Sequence, residues 1–228
     1  YITMEEDGII YDLNYKITPN NVELSNPSAL VCGDHHAYSV DKFNHQACKE
    51  MILNLKPKEV ILNDFFDGAS TNIHEIDDSI NFSKAPSMLE EAEITKSLLK
   101  EITDISEKVV WLNSNHCNFV PRYMNKDEKY LRMNNNLSTC YRLQAFVIDK
   151  NLHPIIELLE LDKIPNLYFS PEKEIYHVGD VAVLHGHESY VRMGFKGFCK
   201  IYNKIVIGHE HKPQIFRNGV CVGSTALA

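Results

Sequence analysis

With 228 residues, of which 44% are hydrophobic, the chain is long enough for one large domain with a substantial core, which excludes disorder as its default state. The formal charge of −8 speaks against a uniformly basic nucleic-acid binder. No apolar run approaches the ~20 residues of a membrane-spanning helix. Residues Tyr1 to Gly8 carry Glu5, Glu6 and Asp7 but no basic cluster, so no secretory leader is expected. A chain starting at Tyr1 reads as a piece of a longer protein or a processed one. The cysteines at 32, 48, 117, 140, 199 and 221 form no CxxC pair; free thiols in a reducing, cytoplasmic compartment are expected.

In chain order, residues 1–28 have no clear place and read as an extension or linker, with Tyr11 to Thr18 an edge strand or linker; residues 29–228 read as the catalytic domain. Ala29 to Cys32 is a short apolar run that ends at Gly33-Asp34, as a buried strand does. Asp41 is placed to cap a helix with Phe43, Ala47, Met51 and Leu55 on its apolar face, stopped before Pro57. Glu59 to Leu62 is the next strand. Pro86 suits the first turn of a long helix running to Glu107, with Leu89, Ala92, Ile94, Leu98, Leu99 and Ile102 facing inward. Lys108 to Leu112 is a third strand. Met124 to Ala145 is an irregular helical stretch, and Ile155 to Leu161 a short helix. Val181 to Leu184, Lys204 to Ile207, Gln214 to Phe216 and Val220 to Val222 are strands, with Asn218-Gly219 as a hairpin turn. Strand–helix alternation followed by strands gives a layered α/β sandwich.

Charge is unevenly spread. Asn72 to Glu107 holds nine acidic and three basic residues, Cys117 to Lys150 six basic and three acidic, and Tyr190 to Arg217 six basic and one acidic. Solvated surface explains any one of these stretches; two basic stretches flanking the motifs below also suit a polyanion.

Five motifs each follow an expected strand: Gly33-Asp34-His35-His36, Asn63-Asp64-Phe65-Phe66-Asp67, Asn113-Ser114-Asn115-His116, His185-Gly186-His187 and Gly208-His209-Glu210-His211. Loops after strand C-termini are where α/β sheets gather ligands. A lone Asp-x-His is commonplace as a structural feature, whereas five such motifs in this order, each after a strand, are not. Carboxylate, imidazole and amide oxygen together suit Mn²⁺, Mg²⁺, Fe²⁺ or Zn²⁺ without a thiolate. Asp34, His36, Asp64, Asn115, His185, His209 and His211 are too many ligands for one tetrahedral ion and about right for two ions sharing a carboxylate.

This order of motifs resembles the calcineurin-like metallophosphoesterase superfamily, over Gly33 to His211. The resemblance implies a four-layer α/β/β/α sandwich holding two divalent metal ions, Mn²⁺ first among them. It would place Asp34, His36 and His211 on one ion, Asn115, His185 and His209 on the other, and Asp64 on both. His116 would sit beside the scissile phosphate, oriented by Asp67. Two cations ~4 Å apart make hydroxide available near neutral pH for in-line attack on phosphorus, and a protonated His116 can donate to the leaving oxygen. Asn63, Ser114 and Cys117 depart from the family's Gly, Gly and acidic residue. Gly68 stands where Ser/Thr protein phosphatases carry Arg, which argues against that branch.

The segment from Gly194-Phe195-Lys196-Gly197-Phe198 to Gly223 is similar to phage-encoded DNases of the superfamily. DNA is therefore the expected substrate and the cytoplasm, of a host cell if phage-encoded, the expected location. Arg122, Lys129 and Arg132, with His35 and His187 beside ligands, are the candidate substrate contacts; Tyr123, Tyr130, Tyr141, Tyr190, Phe195 and Phe198 suit base stacking or core packing. A nucleotide phosphomonoesterase or small phosphodiesterase is the alternative, and a non-catalytic scaffold of the same fold the third reading. No membrane partner is expected, and a homo-oligomer stays open.

Overall fold

The computed structural model describes residues 2–4, 10–12, 26–74, 82–170, 175–187 and 194–224. Its first sheet runs in the order β2 (Ile10–Asp12), β1 (Ile2–Met4), β3 (Ala29–Cys32), β4 (Glu59–Leu62), β5 (Val109–Leu112) and β6 (Leu167–Ser170). Strands β3 to β6 are mutually parallel, and β1 lies antiparallel to both β3 and β2. Residues 2–4 and 10–12 thus extend this sheet, while 13–25, most of the expected Tyr11–Thr18 strand, lie outside the described residues.

The second sheet runs β10 (Gln214–Phe216), β11 (Gly219–Cys221), β9 (Ile205–Ile207), β8 (Val181–Leu184) and β7 (Tyr176–Val178). Here β8, β9 and β11 are parallel, and β7 and β10 are antiparallel edges. A parallel bridge from Asp34 to Ser224 joins the chain segments that leave β3 and β11. The fold is α/β, with two mixed sheets and helices.

Side-chain alternation sorts the strands into three apolar clusters. Leu30 and Cys32 of β3 point, with Trp111 of β5, into a large cluster with Ile52, Leu99, Leu143 and Leu158 of the helices α1 (Lys42–Leu55), α2 (Met88–Thr103), α5 (Leu137–Lys150) and α6 (Pro154–Leu159). Ala29 and Val31 point the other way, into a cluster with Val110, Val181, Val183 and Val206 that contains residues of both sheets. Ala182 and Leu184 of β8 join Phe195 and Phe198 of helix α7 (Gly194–Ile201) in the third. At about 1.5–3 kcal/mol for each fully buried large apolar side chain, these clusters are the main driving force for the fold.

Several expectations change in detail. Asp41 caps α1 as expected, accepting from the N–H groups of Phe43 and Asn44. The buried face, however, is His45, Cys48 and Ile52, and Phe43 is 80% exposed. α2 begins at Met88, directly after its N-cap Ser87, which forms a capping box with Glu90, so Pro86 precedes the cap. Leu89 and Ile94 of that helix face solvent, whereas Glu91 is buried. The stretch from Met124 to Ala145 is broken into α3 (Phe119–Met124), α4 (Glu128–Leu131), a 3₁₀ turn at Met133–Asn135 and the start of α5. Strands β6 and β7 and helix α7 add to the expected set. In the last hairpin Phe216 pairs with Gly219. The turn residues are therefore Arg217 and Asn218, one position earlier than expected, with Arg217 in the left-handed region at φ 53°.

Candidate metal centre

All five motifs stand immediately after strands: Gly33 after β3, Asn63 after β4, Asn113 after β5, His185 after β8 and Gly208 after β9. Backbone bonds lock the first two loops together. The His36 N–H donates to the Asp64 carbonyl at 2.9 Å and the Ala37 N–H to the Phe65 carbonyl at 2.8 Å. Asp34 is fixed from the other sheet side, its N–H donating to the Gly223 carbonyl at 2.9 Å. The Gly208 N–H donates to the His185 carbonyl at 3.0 Å, which ties the fourth and fifth loops.

Close approach sets the residue choice at two glycines. A Cβ on Gly208 would overlap Asp34 Oδ1 and press on Asn63, and one on Gly33 would lie 2.5 Å from the Gly223 carbonyl oxygen. Four expected ligands also have positive φ: His36 at 47°, Asp64 at 37°, His209 at 64° and His211 at 20°. Such conformations cost about 1–3 kcal/mol each and persist where surrounding structure over-determines them, as at functional sites.

The side chains converge. Asp34, His36 and His211 form one group of metal-ligating atoms, His36, Asp64 and His116 a second, and Asp34, Asp64 and His185 a third, with atoms of each group within 4.8 Å of one another. His185 lies 3.7 Å from both Asp34 Oδ1 and Asp64 Oδ2, and His211 Nε2 lies 3.6 Å from Asp34 Oδ2. Asn115 Oδ1 meets His185 Nε2 at 2.9 Å. The His209 ring stands 5.1 Å from that of His185, at the edge of the cluster and outside the three groups.

Electrostatics suit a cation. Burial and then the Asp64 charge push the Asp34 carboxyl well up, and burial lifts Asp64 to about 7. Burial drives His185 well down and lowers His209 and His211, so these rings are neutral lone-pair donors. Burial lowers His36 too, but the Asp67 hydrogen bond and the Asp64 charge outweigh it, and its pKa is raised. Asp64 Oδ1 and His185 Nδ1 are buried and make no hydrogen bond among the described residues. Buried carboxylates and orphaned lone pairs of this kind are offset by pairing or by a metal ion. The donor set therefore fits divalent metal.

Positioning groups differ from expectation. Asp67, expected against His116, instead stands against His36, with Oδ1 3.3 Å from Nδ1. Burial would raise Asp67, but its bonds to His36 and Ser39 hold it low. His116 Nδ1 faces Asp64 Oδ2 at 3.2 Å and His36 Nδ1 at 3.1 Å. Burial, then the nearby His36, lower His116 to about 3, so it is neutral in the free site. The departures from the family pattern have local work. The Asn63 amide donates to the Cys32 carbonyl at 3.1 Å, and the Ser114 hydroxyl accepts from the Cys117 N–H at 3.2 Å.

Among the candidate substrate contacts, His35 is corrected: adjacent residues on an extended chain face opposite ways. Its ring is fully buried, stacked 4.7 Å from Phe65, and meets His45 Nδ1 at 2.9 Å. His187 stays beside the site, its ring 5.3 Å from that of His185, and burial, His209 and the charge of Arg122 lower it to about 4. Lys129 lies 4.5 Å over the Tyr130 ring and Arg132 pairs with Glu128; no contact among the described residues joins either to the centre. Of the aromatics, Tyr123, Phe195 and Phe198 are core residues and Tyr141 is 52% exposed, while Tyr190 lies outside the described residues.

One contributor had no sequence signal. Glu91 of α2 is fully buried and accepts from the N–H groups of Ala69 and Ser70 at 3.0 and 2.8 Å, which anchors the loop carrying Asp64 and Asp67. The Asn136 amide donates to the Ser70 carbonyl at 3.3 Å from the other side. A glutamate amid the acidic α2 segment reads as a solvated charge.

No family model matches the chain, and no curated protein matches it in sequence.

Proposed function

We propose that the chain is a two-metal phosphoesterase and, within that class, a nuclease that hydrolyses DNA phosphodiesters. The observation that carries this reading is the convergence of five strand-end loops from two sheets on one cluster of carboxylate, imidazole and amide donors, buried at Asp34, His36, Asp64 and His185 and open to solvent at His209 and His211. The three apolar clusters, one between the sheets and one on each outer side, support a four-layer α/β/β/α sandwich. Asp34, His36 and His211 would hold one ion, Asn115, His185 and His209 the other, and Asp64 would serve both; Mn²⁺ suits this set, as do Mg²⁺, Fe²⁺ and Zn²⁺. When bound, two such ions supply an activated water near neutral pH and positive charge opposite the phosphate oxygens.

The protein's own groups do the rest. Asp67 holds His36 through Nδ1, which fixes the ring's tautomer and leaves Nε2 for ligation. Asp64 accepts from the Nδ1–H of His116, which leaves Nε2 for a leaving oxygen. An anionic diester against His116 raises the ring's proton affinity from its low free value, so the substrate itself prepares the proton donor. Exposed Arg122, Lys129 and Arg132 on α3, α4 and the turn after it support a polyanionic substrate. No helix among the described residues is long and apolar enough to cross a membrane.

The test is to supply metal-stripped protein with Mn²⁺, Mg²⁺ or chelator and assay supercoiled plasmid, linear duplex, single strands, and bis- and mono-p-nitrophenyl phosphate. Metal-dependent DNA cleavage that drops about 10²–10⁴-fold in His116→Ala supports the reading. Small-ester turnover without DNA cleavage moves the assignment to a nucleotide phosphatase or small phosphodiesterase. Absence of metal binding would return the fold to a scaffold.

A further inference from the structure

Beside His116, among segments that follow strands of the first sheet, lies a cavity of about 310 Å³ whose lining includes Tyr38, Asp67, Asn72, Lys84, His116 and Phe119. Its volume falls at the lower end of small-ligand clefts, ~300–1,000 Å³, which suits one nucleoside rather than a base pair. Its chemistry is mixed in a particular way. Tyr38 is 41% exposed although it follows the buried His36 by two residues, so a flat aromatic face is presented at the rim. Phe119 forms an apolar wall, its ring 4.9 Å from that of His116. Lys84 is exposed and makes no ion pair among the described residues, unlike Lys96, Lys100 and Lys108. Asn72 adds an amide able to donate and accept.

We propose that this cavity receives one unpaired nucleoside, the one attached to the leaving oxygen, stacked on Tyr38 with the next phosphate near Lys84. The placement rests on the nuclease reading: His116 belongs to the metal-ligating cluster and also lines this cavity, so a nucleoside in the cavity abuts a phosphate held at the centre. The substrate class is then narrowed to single-stranded or frayed DNA, because a base must leave its partner to enter. Aromatic platforms and unpaired cations are the usual elements of single-strand binding. The basic net of Arg122, Lys129 and Arg132 lies on other helices and would track the strand beyond.

Stacking on one aromatic ring contributes about 1–3 kcal/mol per base, which is about 5- to 150-fold in affinity. The experiment uses a thymidine dinucleotide and two analogues that lack one base or the other, each with a tetrahydrofuran sugar. With Mn²⁺, Tyr38→Ala should raise KM for the full dinucleotide about 5- to 150-fold with kcat within a few-fold, and Tyr38→Phe should restore it. The analogue lacking the leaving-side base should show the raised KM already and be indifferent to Tyr38→Ala. Equal effects on all three substrates, or none, would overturn the proposal.

A second readout needs no turnover. In chelator, a 2-aminopurine dinucleotide should be quenched by the wild-type protein and not by Tyr38→Ala. Lys84→Glu should weaken a trinucleotide more than a dinucleotide. Equal quenching of 2-aminopurine within a duplex would overturn the requirement for an unpaired base. Quenching of the free nucleoside monophosphate as strong as that of the dinucleotide would overturn the strand in favour of nucleotides. Tyr38-dependent quenching without any metal-dependent hydrolysis would keep the cavity and sink the phosphoesterase; hydrolysis indifferent to Tyr38 would do the reverse.

Discussion

Replacing Glu91 by glutamine should change the pH dependence of stability more than stability itself. Burial lifts this carboxyl from its ordinary 4.5 to about 7, against the opposing hydrogen bonds from Ser70 and Ala69. A displacement of that size is worth about 3 kcal/mol at 1.36 kcal/mol per pH unit. The folded state keeps the proton longer than the unfolded chain does. The stabilisation is therefore fully present below pH 4.5, declines as pH rises through the interval to about 7, and is flat above it. The substituted amide cannot titrate, so the variant lacks this decline.

The amide also offers one acceptor where the carboxyl offers two oxygens to two backbone N–H groups. One N–H is left unsatisfied, at a cost of about 1–3 kcal/mol. Glu91→Gln should thus be less stable than wild type by about 1–3 kcal/mol near pH 4.5. The difference should shift by about 3 kcal/mol in the variant's favour towards pH 8, ending between parity and an advantage of about 2 kcal/mol for Glu91→Gln. Urea unfolding of both proteins in chelator, at intervals from pH 4.5 to 8, measures the difference, and titrations common to both cancel. A difference that stays constant across that range would refute the assignment of a protonated, buried Glu91.

Asp64→Asn should weaken both metal sites if, as proposed, one carboxylate serves both ions; calorimetry or metal analysis that finds two unimpaired sites would remove Asp64 from the bridging position. Gly208→Ala forces a methyl group against Asp34 and Asn63, and should cost about 1–3 kcal/mol by overpacking while lowering metal affinity, read by thermal unfolding with and without Mn²⁺. An unchanged response to Mn²⁺ would mean that Asp34 is not held by this contact. Charge reversal of Lys129 and Arg132 together should flatten the salt dependence of DNA binding by a log–log slope of about 1–2, at ~0.7 per phosphate contact on a single strand. An unchanged slope would take α4 and its end out of the DNA path.

The motif positions were legible in the sequence because their determinants are local. A short apolar run ending in a polar ligand residue marks a strand and its C-terminal loop, and each of Asp34, Asp64, Asn115, His185 and His209 falls in such a loop. Asp41 as a helix cap is equally local, set by one side chain and two N–H groups. Residue type alone pointed to carboxylate, imidazole and amide donors of the kind that suit hard or borderline divalent metals.

What the sequence could not carry were choices settled by packing between distant segments. Helical periodicity left the inward face of α1 open, and His45, Cys48 and Ile52 took it over Phe43 because the sheet lies on that side. Asp67 went to His36 rather than to His116, through a contact between loops of two different strands. Glu91 looks like any glutamate on an acidic helix until the Ala69–Ser70 turn lies against it. Tyr38, Lys84 and His116 line one cavity although 46 and 32 residues separate them in turn. The sequence by itself determined which residues could bind metal and where strands end. Tertiary structure alone decided which side chains share the buried space, because burial and long-range contact are properties of the packed chain and not of any local segment.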